Sequence, residues 1–199
     1  MNLNSWKIDI SREMPQKIAS AMAGLGETIL GTEYQEIVYL GSQQVNGINH
    51  AVLAEQTVLT GRDTKNVVVL IFNEKPGDRE ATLVSIERVL EGGMPFGGTN
   101  IEVMTDLPEE VRNVWNAAFD GFVGSNVEPI ALLGTRPFNG YLYIFAAAVT
   151  PVAPNAATMV VLAVIDPKNE RISMKNLLTR WRDPLDTPSP GEKEGENAC

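Results

Sequence analysis

Few side chains in this sequence could do covalent or acid–base chemistry, and their placement argues against it. His50 is the only histidine, and Cys199, the last residue, is the only cysteine. A lone imidazole makes no histidine metal cluster, and one thiol makes neither an internal disulfide nor a cysteine metal site. Nothing holds a base beside Cys199, so it is a poor nucleophile, and His50 reads as a strand residue next to a turn. Glu109 and Glu110 fall in the first turn of a helix, where the positive end of the helix dipole accounts for them. Residues 92–98 hold four glycines and a proline, but without the strand, helix and lysine of a phosphate loop they read as a linker. No catalytic residue, metal or cofactor is expected. What remains is recognition chemistry at three turns: Gln43, Val45, Asn46 and Gly47; Pro76 and Gly77; and Phe138, Asn139 and Gly140. A glycine at a hairpin tip permits close backbone approach, a valine gives a dry contact, and a glutamine amide both donates and accepts. Asn-Gly is equally the ordinary chemistry of a tight turn that needs positive φ, and the sequence leaves both readings standing.

The elements that must position these turns follow from periodicity. Trp6, Ile8 and Ile10 alternate as in a short lead-in strand. Ile18, Met22, Leu25 and Ile29 then form a helical stripe after Pro15, weakened by Gly24 and Gly26 by about 1 kcal/mol each relative to alanine. Strands are predicted over 34–40, 48–59, 66–72 and 81–90. After the linker the order restarts at Pro108, with Val111, Val114, Trp115, Ala118 and Phe122 on a helical stripe. Strands over 130–134, 141–149, 158–165 and 171–178 complete the second half.

The two halves are related. Pro15, Gly31, Ile37, Leu40, Gly41, Asn46, Gly47, Ala54 and Thr57 recur as Pro108, Gly124, Ile130, Leu133, Gly134, Asn139, Gly140, Ala147 and Thr150 at one constant offset. Helix, turns and strands agree at the same spacing, which points to internal duplication. The expected division is a first repeat over 1–91, a linker over 92–107, a second repeat over 108–182 and an acidic, Pro- and Gly-rich tail over 183–199, too polar to fold.

The first half resembles the stefins of the cystatin family. The likeness runs through the helix, the 34–40 strand, the Gln43-x-Val45-x-Gly47 turn, Ile48-Asn49-His50 after it, and Lys75-Pro76-Gly77 in the next hairpin. It implies an α+β fold, here a tandem duplication of a helix wrapped by a four-stranded antiparallel sheet. It further implies a protein-binding wedge that enters the cleft of a papain-like cysteine protease. Gln43, Val45, Asn46 and Gly47 would then touch the target with Pro76 and Gly77, and Phe138, Asn139 and Gly140 would be the second repeat's counterparts. The sequence departs from the family in having no glycine ahead of the first helix before Gly24, and in showing Arg136 and Phe138 where the second repeat should carry Gln and Val. A duplicated hot-dog fold is the structural alternative. It would call for an acidic or histidine catalytic residue on the helix.

Composition bounds the partners. The chain has 199 residues, is 44% hydrophobic and carries a formal charge of -9, a sign that repels phosphate backbones and makes nucleic acid an unexpected partner. No apolar run reaches membrane-spanning length and no signal-peptide core opens the chain, so a cytoplasmic protein is expected. Val67 to Phe72 and Met159 to Ile165 do not alternate, so both faces of those strands need cover. Sheets of the two halves packed back to back or edge to edge, or a homo-oligomer, would supply it. The functional expectation is a non-enzymatic protein-binding module; its alternative is an adaptor that assembles through apolar sheet faces and edges.

Overall fold

The computed structural model describes residues 5–59, 64–93 and 98–178. The expected tail over 183–199 lies outside them. In the first half β1 (Trp6–Ser11) leads to α1 (Gln16–Ala23), the short α2 (Leu25–Thr28), then β2 (Thr32–Val45), β3 (Gly47–Val58), β4 (Thr64–Glu74) and β5 (Thr82–Glu91). In the second, β6 (Asn100–Met104) leads to α3 (Glu109–Phe119), then β7 (Ser125–Pro137), β8 (Tyr141–Pro151), β9 (Met159–Asp166) and β10 (Arg171–Asn176). Each half makes one antiparallel five-stranded sheet whose strands neighbour one another in chain order. β6 falls inside the stretch read as linker.

The α+β, cystatin-like expectation is overturned. The chain is mostly β, and neither half is a sheet wrapped round a long helix. The first-half helix stops at Gly24, whose N–H closes the last turn on Ser20 O, and only a four-residue turn follows. α3 has 11 residues. Glycines at positions 24 and 26 withdraw the side chains and helix propensity that a longer rod needs, and eight residues span only about 12 Å. The lead-in strands meanwhile join the sheets as fifth members. Helices this short cover one patch of one face, and the other face must find a different partner.

That partner is the second sheet. Val38, Leu40, Leu53, Val69 and Ile71 of the first sheet share one core with Leu133, Ile144, Ala146 and Val160 of the second. Outside it, Ile18, Met22 and Leu25 of the first two helices cap Val52, Leu70 and Phe72, and Trp115 of α3 caps Phe145, Val161 and Ile165. The layers run helix, sheet, sheet, helix. Val67–Phe72 and Ile144–Val149 are apolar at every position because each face meets a different core, and each large side chain so buried stabilises by about 1.5–3 kcal/mol. The apolar faces of the central strands are therefore covered within the chain, while Val84 and Ile86 of β5 stay exposed.

The sheets cross steeply. At one end β6 starts beside the end of the first sheet, where Gly92 bridges Thr99 and a Cβ at Gly92 would lie 2.9 Å from Ile101. Just beyond its other end, Arg12 pairs with Asp106 at 2.9 Å, next to the end of β1. Going from β5 to β1 in eight residues means running across the strands, since four strand spacings come to roughly 19 Å and eight extended residues to about 25 Å. β6 therefore passes over the strands of the first sheet and not alongside one of them. The edge strands press hard on the sheets they cap: a Cβ at Gly41 would stand 2.2 Å from Lys7 O, and one at Gly134 would stand 2.2 Å from Asn100 O. The paired glycines of the repeat are thus explained by the same close approach in both halves.

Candidate functional site

The three turns do not converge. In the first half the β2–β3 tip and the β4–β5 turn sit side by side: Ile48 pairs with Glu74, and a Cβ at Gly47, whose φ is +101°, would lie 2.6 Å from Glu74 O. Val45 is half-buried, and Asn46, Pro76 and Gly77 are exposed. Gln43 is elsewhere. It is only 1% exposed, set within the sheet opposite Asn49 of β3 and Trp6 of β1.

The second-half tip lies at the far end. Thr135 pairs with Asn100, and Arg136 donates from Nε and Nη2 to Thr99 Oγ1 at 3.1 and 2.8 Å, so this tip adjoins the Gly92 end of the first sheet. Asn66, opposite Glu91 there, and Glu74 at the first tip are separated by on the order of 25 Å of extended strand. The β7–β8 loop is held in one shape. Asn139 and Gly140 adopt φ of 48° and 129°, and Lys168 of the β9–β10 turn donates to Asn139 Oδ1 at 2.8 Å. On this frame Phe138 and Tyr141 stand 59% and 61% exposed. Tyr143 and Phe145 follow Tyr141 at two-residue steps along β8 and pack into the α3 core, with the Phe145 ring 5.0 Å from that of Trp115.

Beneath the first tip lies a polar chain that the turn pattern did not announce. Asn73 Nδ2 donates to Asn49 Oδ1 at 2.7 Å. On the helix side, Tyr39 Oη meets His50 Nδ1 at 2.9 Å, His50 Nε2 faces Glu74 Oε2 at 3.5 Å, and Lys17 of α1 binds Glu74 Oε1 at 2.8 Å. Burial pushes the His50 pKa down, opposed by the Glu74 carboxylate. At 3.5 Å that carboxylate is a neighbour and not a hydrogen-bond partner, so burial prevails and the ring is neutral. Glu74 is held below the usual carboxylate range mainly by the Lys17 hydrogen bond. The Lys17–Glu74 pair ties α1 to the sheet beside an imidazole that is hydrogen-bonded to Tyr39.

Two clefts open where the sheets cross, and the repeat relates them. One, of about 520 Å³, lies between β6 and the first sheet and is lined by Arg12, Glu36, Ile37, Glu55, Lys65 and Glu102, among others. The other, of about 370 Å³, lies between β1 and the second sheet and includes Ile10, Thr105, Pro129, Ile130 and Ala148. At the repeat offset, Glu36, Glu55 and Lys65 correspond to Pro129, Ala148 and Thr158. Ile37 is the extra residue of a β-bulge, as is Ile130 in its twin, and bulges re-aim neighbouring side chains. In the charged cleft Lys65 Nζ binds Glu55 Oε1 at 2.8 Å. Glu36 Oε1 is buried without a hydrogen-bond partner, and burial raises the Glu36 pKa. Aligning the halves by charge would have singled these residues out.

Among the described residues no three acidic, histidine or cysteine side chains are grouped to hold a metal, and no helix is long and apolar enough to cross a membrane. Comparison with protein-family models, curated proteins and solved structures found no match to any of them.

Proposed function

We propose that the chain is a non-enzymatic protein-binding module whose principal contact is the β7–β8 tip. The observation that supports it is the pair Phe138 and Tyr141, exposed on a loop already fixed by Asn139, Gly140 and Lys168. Large aromatic side chains on a rigid frame lose little entropy on binding and dominate interface energies. A concave partner surface suits such a tip. A photo-crosslinking amino acid at position 138 tests this in an extract of the source organism. A discrete adduct is expected, competed away by excess unlabelled chain and not by a chain carrying Phe138→Asp and Tyr141→Asp. The absence of any competable adduct would contradict the proposal.

A second reading is favoured by the adjacency of the Val45–Gly47 and Pro76–Gly77 turns, which could enter a protease cleft together. Gln43, being buried, would take no direct part. Titration against papain, read as residual peptide hydrolysis, decides it: inhibition weakened by Gly47→Glu supports this wedge, and uninhibited papain at high micromolar chain removes it.

A further inference from the structure

We propose that Asn46, at the first tip, is a site of spontaneous conversion to isoaspartate, and that Lys168 and a left-handed turn protect its twin, Asn139, from the same reaction. Of the asparagines only Asn46 and Asn139 precede a glycine. At such a step the following backbone nitrogen is least shielded, because glycine has no side chain to hinder it. The Gly47 nitrogen gives its proton to a hydroxide ion and bonds to Asn46 Cγ, and the carboxamide nitrogen takes a proton from water and leaves as ammonia. Water then opens the five-membered imide. Opening at the main-chain carbonyl routes the backbone through the side chain and gives isoaspartate, and opening at the other carbonyl gives aspartate. Each product carries a carboxylate where the amide was.

Both positions are exposed, but they are held differently. Lys168 Nζ donates to Asn139 Oδ1 at 2.8 Å, and hydrogen bonds to charged groups are among the stronger ones. Asn139 also has φ +48°, in the left-handed well where ψ is about +47°. At that ψ the next amide nitrogen points away from Cβ. The carboxamide must break the Lys168 bond, and the backbone must leave its well, before the ring can close. Asn46 has neither restraint: it lies outside the left-handed region, and among the described residues its side chain makes no hydrogen bond. The change matters at this tip. A Cβ at Gly47 would lie 2.6 Å from Glu74 O, and the Gly47 carbonyl accepts from Gln44 Nε2 at 3.0 Å. A backbone one carbon longer, with a new negative charge in the same turn, cannot keep so close a seat. The first tip ages while the second persists.

Incubating the full chain at neutral pH and body temperature for several weeks, with peptide mapping by mass spectrometry, tests this. The mass gained when an amide becomes an acid marks conversion, and electron-based fragmentation tells isoaspartate from aspartate. Asn46 should convert first, with Asn139 about tenfold slower or more. Lys168→Met should shorten that lag, and its exposed position leaves the fold intact. In denaturant, where neither restraint exists, both sites should convert at similar rates. Asn139 keeping pace with Asn46 in the folded chain would overturn the proposal, as would an Asn46 that stays intact while the unfolded chain converts. A lag that persists in denaturant would also overturn it, since flanking sequence and not the fold would then set the difference.

Discussion

The two halves of the chain run through the same order of elements, bulge their second long strands at matching positions and press an edge strand onto a matching glycine, yet their surfaces differ. At the tips, the first half tucks Gln43 into the sheet, half-buries Val45 and leaves Ile48 36% exposed, while the second shows Phe138 and Tyr141 at 59% and 61%. At the clefts Glu36 and Glu55 of the first half are matched by Pro129 and Ala148 at the equivalent positions of the second, whose cleft keeps Arg12 and Glu128. Sequence identity survives where backbones touch, at Gly41 and Gly134 and in the bulges. It also survives at exposed turn positions such as Asn46 and Asn139, and is lost at Val45 and Phe138, Ile48 and Tyr141, and Glu36 and Pro129. A duplicated fold thus separates residues that hold the scaffold from residues free to recognise something, with no relatives to compare.

Large effects should come from the glycines under the edge strands and from the core aromatics. Gly134→Ala drives a Cβ into Asn100 O and should cost about 1–3 kcal/mol of overpacking. Gly41→Ala meets Lys7 O in the same way and also sits at φ +144°, adding about 1–3 kcal/mol of backbone strain. Denaturant melts should rank Gly41→Ala below Gly134→Ala, and equal losses would break the distinction. Next, Phe145→Ala should cost about 3–5 kcal/mol, and more than Phe72→Ala, because Phe145 also loses its edge-on contact with Trp115, a pair worth about 0.5–1.5 kcal/mol.

A smaller effect separates the halves by pH. His50 has a folded pKa below its ordinary 6.5 and Glu74 one below 4.5, so the unfolded chain takes up each proton first and stability falls with pH. The His50 contribution is complete above 6.5 and is lost from there down to its folded pKa; that of Glu74 is lost below 4.5. In His50→Gln the first decline should vanish from melts recorded between pH 8 and 5, and its persistence would show that another group carries it. Smallest of all, Glu36→Gln should change stability by about 0–1 kcal/mol and in the stabilising direction, since it replaces a partly desolvated carboxylate, whose pKa burial raises, with a neutral amide of the same size. A clear loss would mean that the charge serves the scaffold after all.

Much of the element order was legible because apolar periodicity and turn residues recur at one offset: the strands around Val67–Phe72 and Tyr141–Val149 stand where the pattern puts them. The fold class was not. Gly24 and Gly26 signal a weak helix, but whether it ends there depends on tertiary packing. The crossing of the two sheets leaves no periodic trace either, since Val69 reads as buried whichever sheet or helix covers it. At the tips, Asn-Gly reports a turn without saying that Gln43 faces inward, because Trp6 of β1 pairs opposite it from far along the chain. The charged cleft stayed hidden for a similar reason: Glu36, Glu55 and Glu102 come from three separate strands brought together by the crossing.

The most direct test of the account carries the photo-crosslinker at Asn46 and, in a parallel chain, at Phe138. The two positions occupy equivalent parts of the repeat at opposite ends of the molecule, so general stickiness would label both. A competable adduct from position 138 alone is the predicted result. Adducts of equal yield from both positions, or from Asn46 alone, would contradict the claim that the second tip diverged into the contact surface.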